Sequence, residues 1–159
     1  MDSLLKLLKQ NARLSNGELA TMLGTTEQDV AARIADYEKR GIIKGYSVIV
    51  NEELADFNAV SAYIELKVTP KADYGFDELA SKIARLEDVE SVSLMSGAYD
   101  LGVTISGKNY KEIAMFVAQR LSTIDGVLST ATHFILKRYK EKGIMIEDEA
   151  SDERSLVAP

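Results

Sequence analysis

Leu86-Glu87-Asp88-Val89-Glu90-Ser91 returns as Ile124-Asp125-Gly126-Val127-Leu128-Ser129, at an offset of 38 residues. The same offset lays Leu79-Ala80 on Val117-Ala118 and Ile83 on Leu121. Each copy reads strand, helix, strand. In the first, Val60 to Val68 alternates, Phe76, Leu79, Ala80 and Ile83 recur at helical spacing, and Val89 to Ser96 is β-prone. In the second, Tyr99 to Ser106 precedes a helix striped by Ile113, Phe116, Val117 and Leu121, and Val127 to Leu136 follows. Asn109-Tyr110-Lys111-Glu112 gives that helix a cap-like start. Two copies are too few for a solenoid. A βαββαβ order instead predicts a ferredoxin-like sandwich, one sheet with both helices on one face. Val60, Ala62, Ile64, Leu66 and Val68 are expected to meet the helices, and Ser61, Tyr63, Glu65, Lys67 and Thr69 to line the uncovered face. With Tyr63 and Met95 on that face, a homodimer is expected.

The residues before the repeat follow a different period. Leu4, Leu5, Leu7 and Leu8 begin an amphipathic helix near Asp2. Ser15-Asn16-Gly17-Glu18 is a capping box, so a second helix should run through Leu19-Ala20 to about Met22 and stop at Gly24. Thr26 caps a third helix with the apolar stripe Val30, Ile34 and Tyr37, ending at Gly41. Two capped helices joined by a glycine turn are the sequence form of a helix-turn-helix, here winged-helix-like, though a three-helix packing unit without DNA has the same pattern. The predicted class is α+β. Residues 1–42 form the helical DNA-binding domain, 43–58 a connecting strand and linker, 59–143 the sandwich, and 144–159 an acidic tail.

Composition bounds the chemistry. The chain has 159 residues, no cysteine and one histidine, which excludes disulfides, thiolate-zinc sites and multi-His metal centres within one chain. No apolar run approaches a membrane span, and Met1-Asp2-Ser3 lacks a signal-peptide start, so a cytoplasmic protein with no membrane partner is expected. Net charge is −6, distributed as +1 over residues 1–50, −3 over 51–140 and −4 over 141–159. Only the first fifty residues suit an acidic partner such as double-stranded DNA. There, Arg13, Arg33, Arg40 and Lys44 are candidate phosphate contacts beside Lys6, Lys9 and Lys39. With Thr26 and the adenine-reading candidate Gln28 they complete the expected DNA-contacting set. Glu27 and Asp29, at the start of the recognition helix, oppose that role, and solvated surface charge is the alternative for each cation.

Ser96-Gly97-Ala98-Tyr99-Asp100 joins the two copies. Gly97 and Ala98 leave backbone N–H groups accessible to an anion, and Asp100 stands ready for an ammonium group. That pairing suits a zwitterion. The alternative is a tight hairpin whose Asp100 caps its own turn. Thr130 and Thr132 add hydroxyls on the last strand, or are ordinary strand threonines. His133 reads as surface or interface packing. Glu147-Asp148-Glu149 and Asp152-Glu153 read as a solvated tail rather than a cation site, and Lys142 to Ile146 as a short edge strand. No phosphate-binding loop, dinucleotide fingerprint or nucleophile elbow occurs, so no enzyme and no cofactor beyond an amino-acid effector is expected.

These residues resemble the Lrp/AsnC, or feast/famine, family of prokaryotic transcription regulators over nearly the whole chain, to about Gly143. Asn11-Ala12-Arg13-Leu14-Ser15 with Glu18-Leu19-Ala20 is similar to the family's opening. Val30-Ala31-Ala32-Arg33-Ile34 with Gly41-Ile42-Ile43-Lys44-Gly45-Tyr46 resembles its recognition helix and exit. Ser96-Gly97-Ala98-Tyr99-Asp100-Leu101 resembles its ligand-sensing turn, and Gly126-Val127 with Thr130, Thr132 and Phe134-Ile135-Leu136 its last strand. The resemblance implies dimers, often assembled into octamers, with small effectors, commonly amino acids, bound between dimers. It places Gly97, Ala98, Tyr99 and Asp100 near the effector, with Thr130 and Thr132 as further candidates, and pairs the connecting strand with its mate. Glu27, Asp29, Ala31 and Ala32 depart from the family's polar or basic pattern. An effector-binding oligomer with weak or lost DNA binding is the second reading.

Overall fold

The computed structural model of the protein describes residues 2–55, 59–69 and 75–146. The chain divides into two compact units, residues 1–48 and 49–159. The division falls inside the stretch expected to connect them.

The first unit is three helices, α1 (Ser3–Gln10), α2 (Asn16–Leu23) and α3 (Glu27–Lys39). Each starts on a side-chain cap. Asp2 accepts from the Leu4 amide, Ser15 from Glu18 and Thr26 from Asp29. The Glu18 carboxylate returns to the Ser15 amide at 2.7 Å, completing the box. Those two Ser15 bonds, from its amide and its hydroxyl, hold the Glu18 carboxyl below the usual carboxylate range. Gly24 closes α2 at φ 66°, a left-handed conformation that glycine adopts without strain. Leu4, Leu19, Ala20 and Val30 are buried at the helix crossing, with Leu7, Leu8, Leu14, Leu23, Ile34 and Tyr37 packed around them.

The second unit contains β1 (Val60–Val68), α4 (Asp77–Ala84), β2 (Val89–Leu94), β3 (Leu101–Gly107), α5 (Tyr110–Phe116) and β4 (Val127–Ile135). The sheet is antiparallel in the order β2-β3-β1-β4, the arrangement expected of the duplicated unit. A wider π-helical turn over Val117–Leu121 continues α5. Asn109 caps α5 by accepting from the Glu112 amide at 2.9 Å. Ala62, Ile64, Leu66 and Val68 of β1 join Leu101, Val103 and Ile105 of β3 in one core with Ile83, Ile113, Phe116 and Leu121. Both helices therefore cover one face. The other face carries Tyr63, Glu65 and Lys67, with His133 Nε2 3.3 Å from Glu65 Oε1. Ser61, expected on that face, is buried and satisfied by the Ser106 hydroxyl at 3.1 Å.

Three local expectations are corrected. The connecting strand finds no ladder among the described residues: residues 44–51 are in neither helix nor strand, 52–55 turn, and 56–58 lie outside the described residues. A strand needs a neighbour for its backbone groups, and the described residues offer none here. Lys142 to Ile146 does not edge the main sheet. β5 (Lys140–Glu141) and β6 (Ile144–Met145) form a separate hairpin, turned by Lys142 at φ 45° and Gly143 at φ 92°. β2 ends at Leu94 and β3 begins at Leu101, so Met95 to Asp100 forms the turn instead of extending the strands. The acidic residues 147–153 lie outside the described residues.

Candidate DNA interface and effector turn

The expected DNA contacts fall into two groups. Arg13, between α1 and α2, and Gln28, on the first turn of α3, are exposed. The others are already engaged within the first unit. Arg33 holds both Asp2 oxygens, at 2.9 and 3.0 Å, and reaches Asp29 at 3.4 Å. Partial desolvation would raise the Asp2 carboxyl, but the Leu4 amide, the Tyr37 hydroxyl and Arg33 outweigh it and lower the pKa. Arg33 thus ties the start of α1 to the middle of α3. Arg40 pairs with Asp36 at 2.9 Å. A side chain at Gly41 would meet Lys44 Nζ, so the lysine folds back over the end of α3, where a cation suits the helix dipole. Thr26 spends its oxygen on the Asp29 amide at 3.2 Å.

In the second unit, Met95 N–H donates to the Asp100 carbonyl at 2.8 Å and closes the turn. Ser96, Gly97 and Ala98 are exposed. Among the described residues, the backbone N–H groups of Ser96 to Tyr99 find no acceptor. Asp100 N–H donates to the Leu66 carbonyl, and its Oδ2 accepts from the Val68 amide, both at 2.9 Å. The carboxylate therefore caps the neighbouring strand β1 and not its own turn. In the strand expected from Tyr99 to Ser106, alternation would put Tyr99 on the face of Leu101. The turn breaks that alternation: the Tyr99 hydroxyl meets the Tyr63 hydroxyl at 2.9 Å on the uncovered face. The bond to Tyr99, with burial and the Glu65 charge, pushes the Tyr63 phenol up to about 12. Thr130 and Thr132 pair with Leu66 and Ile64 on the far side of β1. Two strand spacings, about 10 Å, separate them from β3, so one subunit does not bring them to the turn.

Sequence reasoning missed three features. Asp2 and Arg33 are too distant in sequence for any local pattern to pair them. Gly17 makes room for Glu27, and Gly102 for the Tyr63 ring; a side chain at either would collide. A glycine inside a capped helix and one inside a strand were the available signals.

A helix-turn-helix joined to a ligand-binding sandwich defines a class, the DNA-binding transcription regulators that sense small molecules. The model for the Lrp/AsnC ligand binding domain matches residues 61–145, and that for a winged helix-turn-helix DNA-binding domain matches 3–44. The chain is 43% identical over 157 residues to the HTH-type transcriptional regulator YugG of Bacillus subtilis, covering 98% of this chain and 95% of that one. It is 29% identical over 137 residues to the regulator LrpA of Pyrococcus abyssi, covering 86% and 94%. In fold it matches E. coli AsnC with a TM-score of 0.67 at 22% identity, covering 91% and 97%. A Neisseria meningitidis transcriptional regulator solved as its L-Met complex gives 0.70 at 22% identity, covering 89% and 93%. The chain belongs to the Lrp/AsnC family. It is a transcription regulator and not an enzyme.

Proposed function

We propose that this regulator works in the cytoplasm as a homodimer, or as an octamer of such dimers, whose affinity for double-stranded DNA is set by an amino acid bound at the Ser96–Asp100 turn. The unpaired amides of that turn carry the reading. Four N–H groups without acceptors among the described residues, two of them on Gly97 and Ala98, suit a carboxylate. Asp100 Oδ1 accepts nothing from the described residues and suits an ammonium group, with Tyr99 beside it. Thr130 and Thr132 would join the site only from a neighbouring subunit. No described helix is long and apolar enough to cross a membrane. Self-association is supported by the uncovered sheet face and by Tyr46, Val48 and Val50, exposed without strand partners, Val48 to 78%. On DNA, Arg13 and Gln28 are free to make contact, and Thr26, Arg33, Arg40 and Lys44 complete the set by exchanging their partners within the unit for DNA. Joining several weak readers raises avidity through effective concentration.

A thermal-shift screen of the amino acids tests the effector. At least one should raise the melting temperature of the wild type, because it binds only the folded state. Asp100→Asn, which keeps an acceptor for the Val68 amide, should lose that response. An equal response in Asp100→Asn contradicts the ammonium contact, and a screen without any shift contradicts the amino-acid class.

A further inference from the structure

The base-reading end of α3 bears two carboxylates, and both are turned back into their own motif. Asp29 Oδ2 accepts from Thr25 Oγ1 at 3.0 Å and from Arg33 Nη1 at 3.4 Å. Glu27 leans over the first turn of α2, where a methyl group at Gly17 would stand 2.7 Å from its Oε1. There it faces the positive end of the α2 dipole. The nearest guanidinium is equally occupied, since Arg33 grips Asp2.

What still points outward follows from helical geometry. Val30, Ile34 and Tyr37 form the inward stripe. At 3.6 residues per turn the opposite stripe is Gln28, Ala32, Ala35 and Lys39, with Ala31 beside it. All five are exposed. Recognition helices read base edges with their N-terminal residues. Lys39 lies about 16 Å further along the axis than Gln28, at a level suited to a phosphate.

We propose that Gln28 is the specificity-determining side chain of α3, reading one adenine through its amide, with Ala31, Ala32 and Ala35 packed on thymine methyl groups beside it. An amide offers both a donor and an acceptor, which matches adenine N6 and N7. Guanine presents two acceptors and calls for arginine or lysine, and no such side chain stands free in the first two turns of α3. Cytosine N4 calls for a carboxylate, but Asp29 is bonded to Thr25 and Arg33, and Glu27 leans toward α2. Gln28 is thus the outward-facing amide of that turn, placed to read a base. Gly17 contributes indirectly, by giving Glu27 somewhere to go.

This role rests on α3 entering the major groove, so DNA retention and base preference are measured separately. The full chain is used to select from a pool of randomised duplexes at low salt, and the retained pool is sequenced. A·T pairs should be enriched at adjacent half-site positions. Gln28→Ala should lower the adenine preference at one position by about 10-fold, and Gln28→Arg should move that position to guanine. Gly17→Ala, which displaces Glu27 outward, should weaken retention of every sequence, and adding Glu27→Gln should restore it. G·C at those positions in the wild type, or an unchanged profile in Gln28→Ala, overturns the proposal. Retention without any enrichment overturns base reading while leaving DNA binding intact, and no retention overturns both.

Discussion

The helical unit and the sandwich reach stability by different routes. In the first, four residues are buried, Leu4, Leu19, Ala20 and Val30, and each helix start is fastened by its own side-chain cap. In the second, twelve buried residues from β1, β3, the two helices and the π-helical turn form a continuous core, and α4 starts with no side-chain cap. A unit of 48 residues sits near the size where a core barely offsets chain entropy. Local bonds therefore matter more there. The sandwich spends its polar groups differently: Asp100 caps the end of β1, and Tyr63 joins Tyr99 across the uncovered face. One unit is held by its ends and the other by its middle.

The sharpest way to break that contrast is a core truncation in the smaller unit. Leu19→Ala should cost about 2–5 kcal/mol, more than residues 1–48 can absorb. Hydrogen exchange should show protection lost over α1 to α3 and retained over β1 to β4. Equal loss in both regions would mean that they fold as one. Next in size, Gly102→Ala drives a methyl group into the Tyr63 ring and should cost about 1–3 kcal/mol, read from denaturant midpoints. Tyr63→Leu in the same chain should recover most of it. Ser15→Ala should cost about 1 kcal/mol, confined to the helical unit. The smallest effect is one of pH. Because Glu18 is lowered in the folded state, its contribution is complete above the ordinary carboxylate range and disappears as pH falls through the lowered value. Glu18→Gln should flatten the acid limb of helical-unit stability and leave the limb of the sandwich unchanged.

The same contrast explains what the amino-acid sequence made legible. Caps are local, so Ser15 with Glu18, Thr26 with Asp29 and Asn109 with Glu112 could be placed from spacing alone. The sandwich was legible from its repeat and from the alternation along Val60 to Val68. The contacts of polar side chains were less so. The segment Ser96 to Asp100 could be picked out as a turn, but nothing in it shows that Asp100 reaches the Val68 amide or that Tyr99 crosses to Tyr63, because both partners lie more than thirty residues away. Arg33 was legible as a cation on α3, whereas its capture by Asp2 depends on how α1 crosses α3. The connecting stretch read as β-prone from composition, but a ladder needs a second strand, and the described residues do not provide it.

That missing neighbour leads to the most direct test. Sedimentation equilibrium of the full chain, at micromolar concentration and without DNA, reads the size of the particle. An uncovered sheet face and a β-prone connecting stretch without a strand partner among the described residues predict a mass of at least twice the 17.5 kDa of one chain. A single 17.5 kDa species throughout the concentration range would contradict the account.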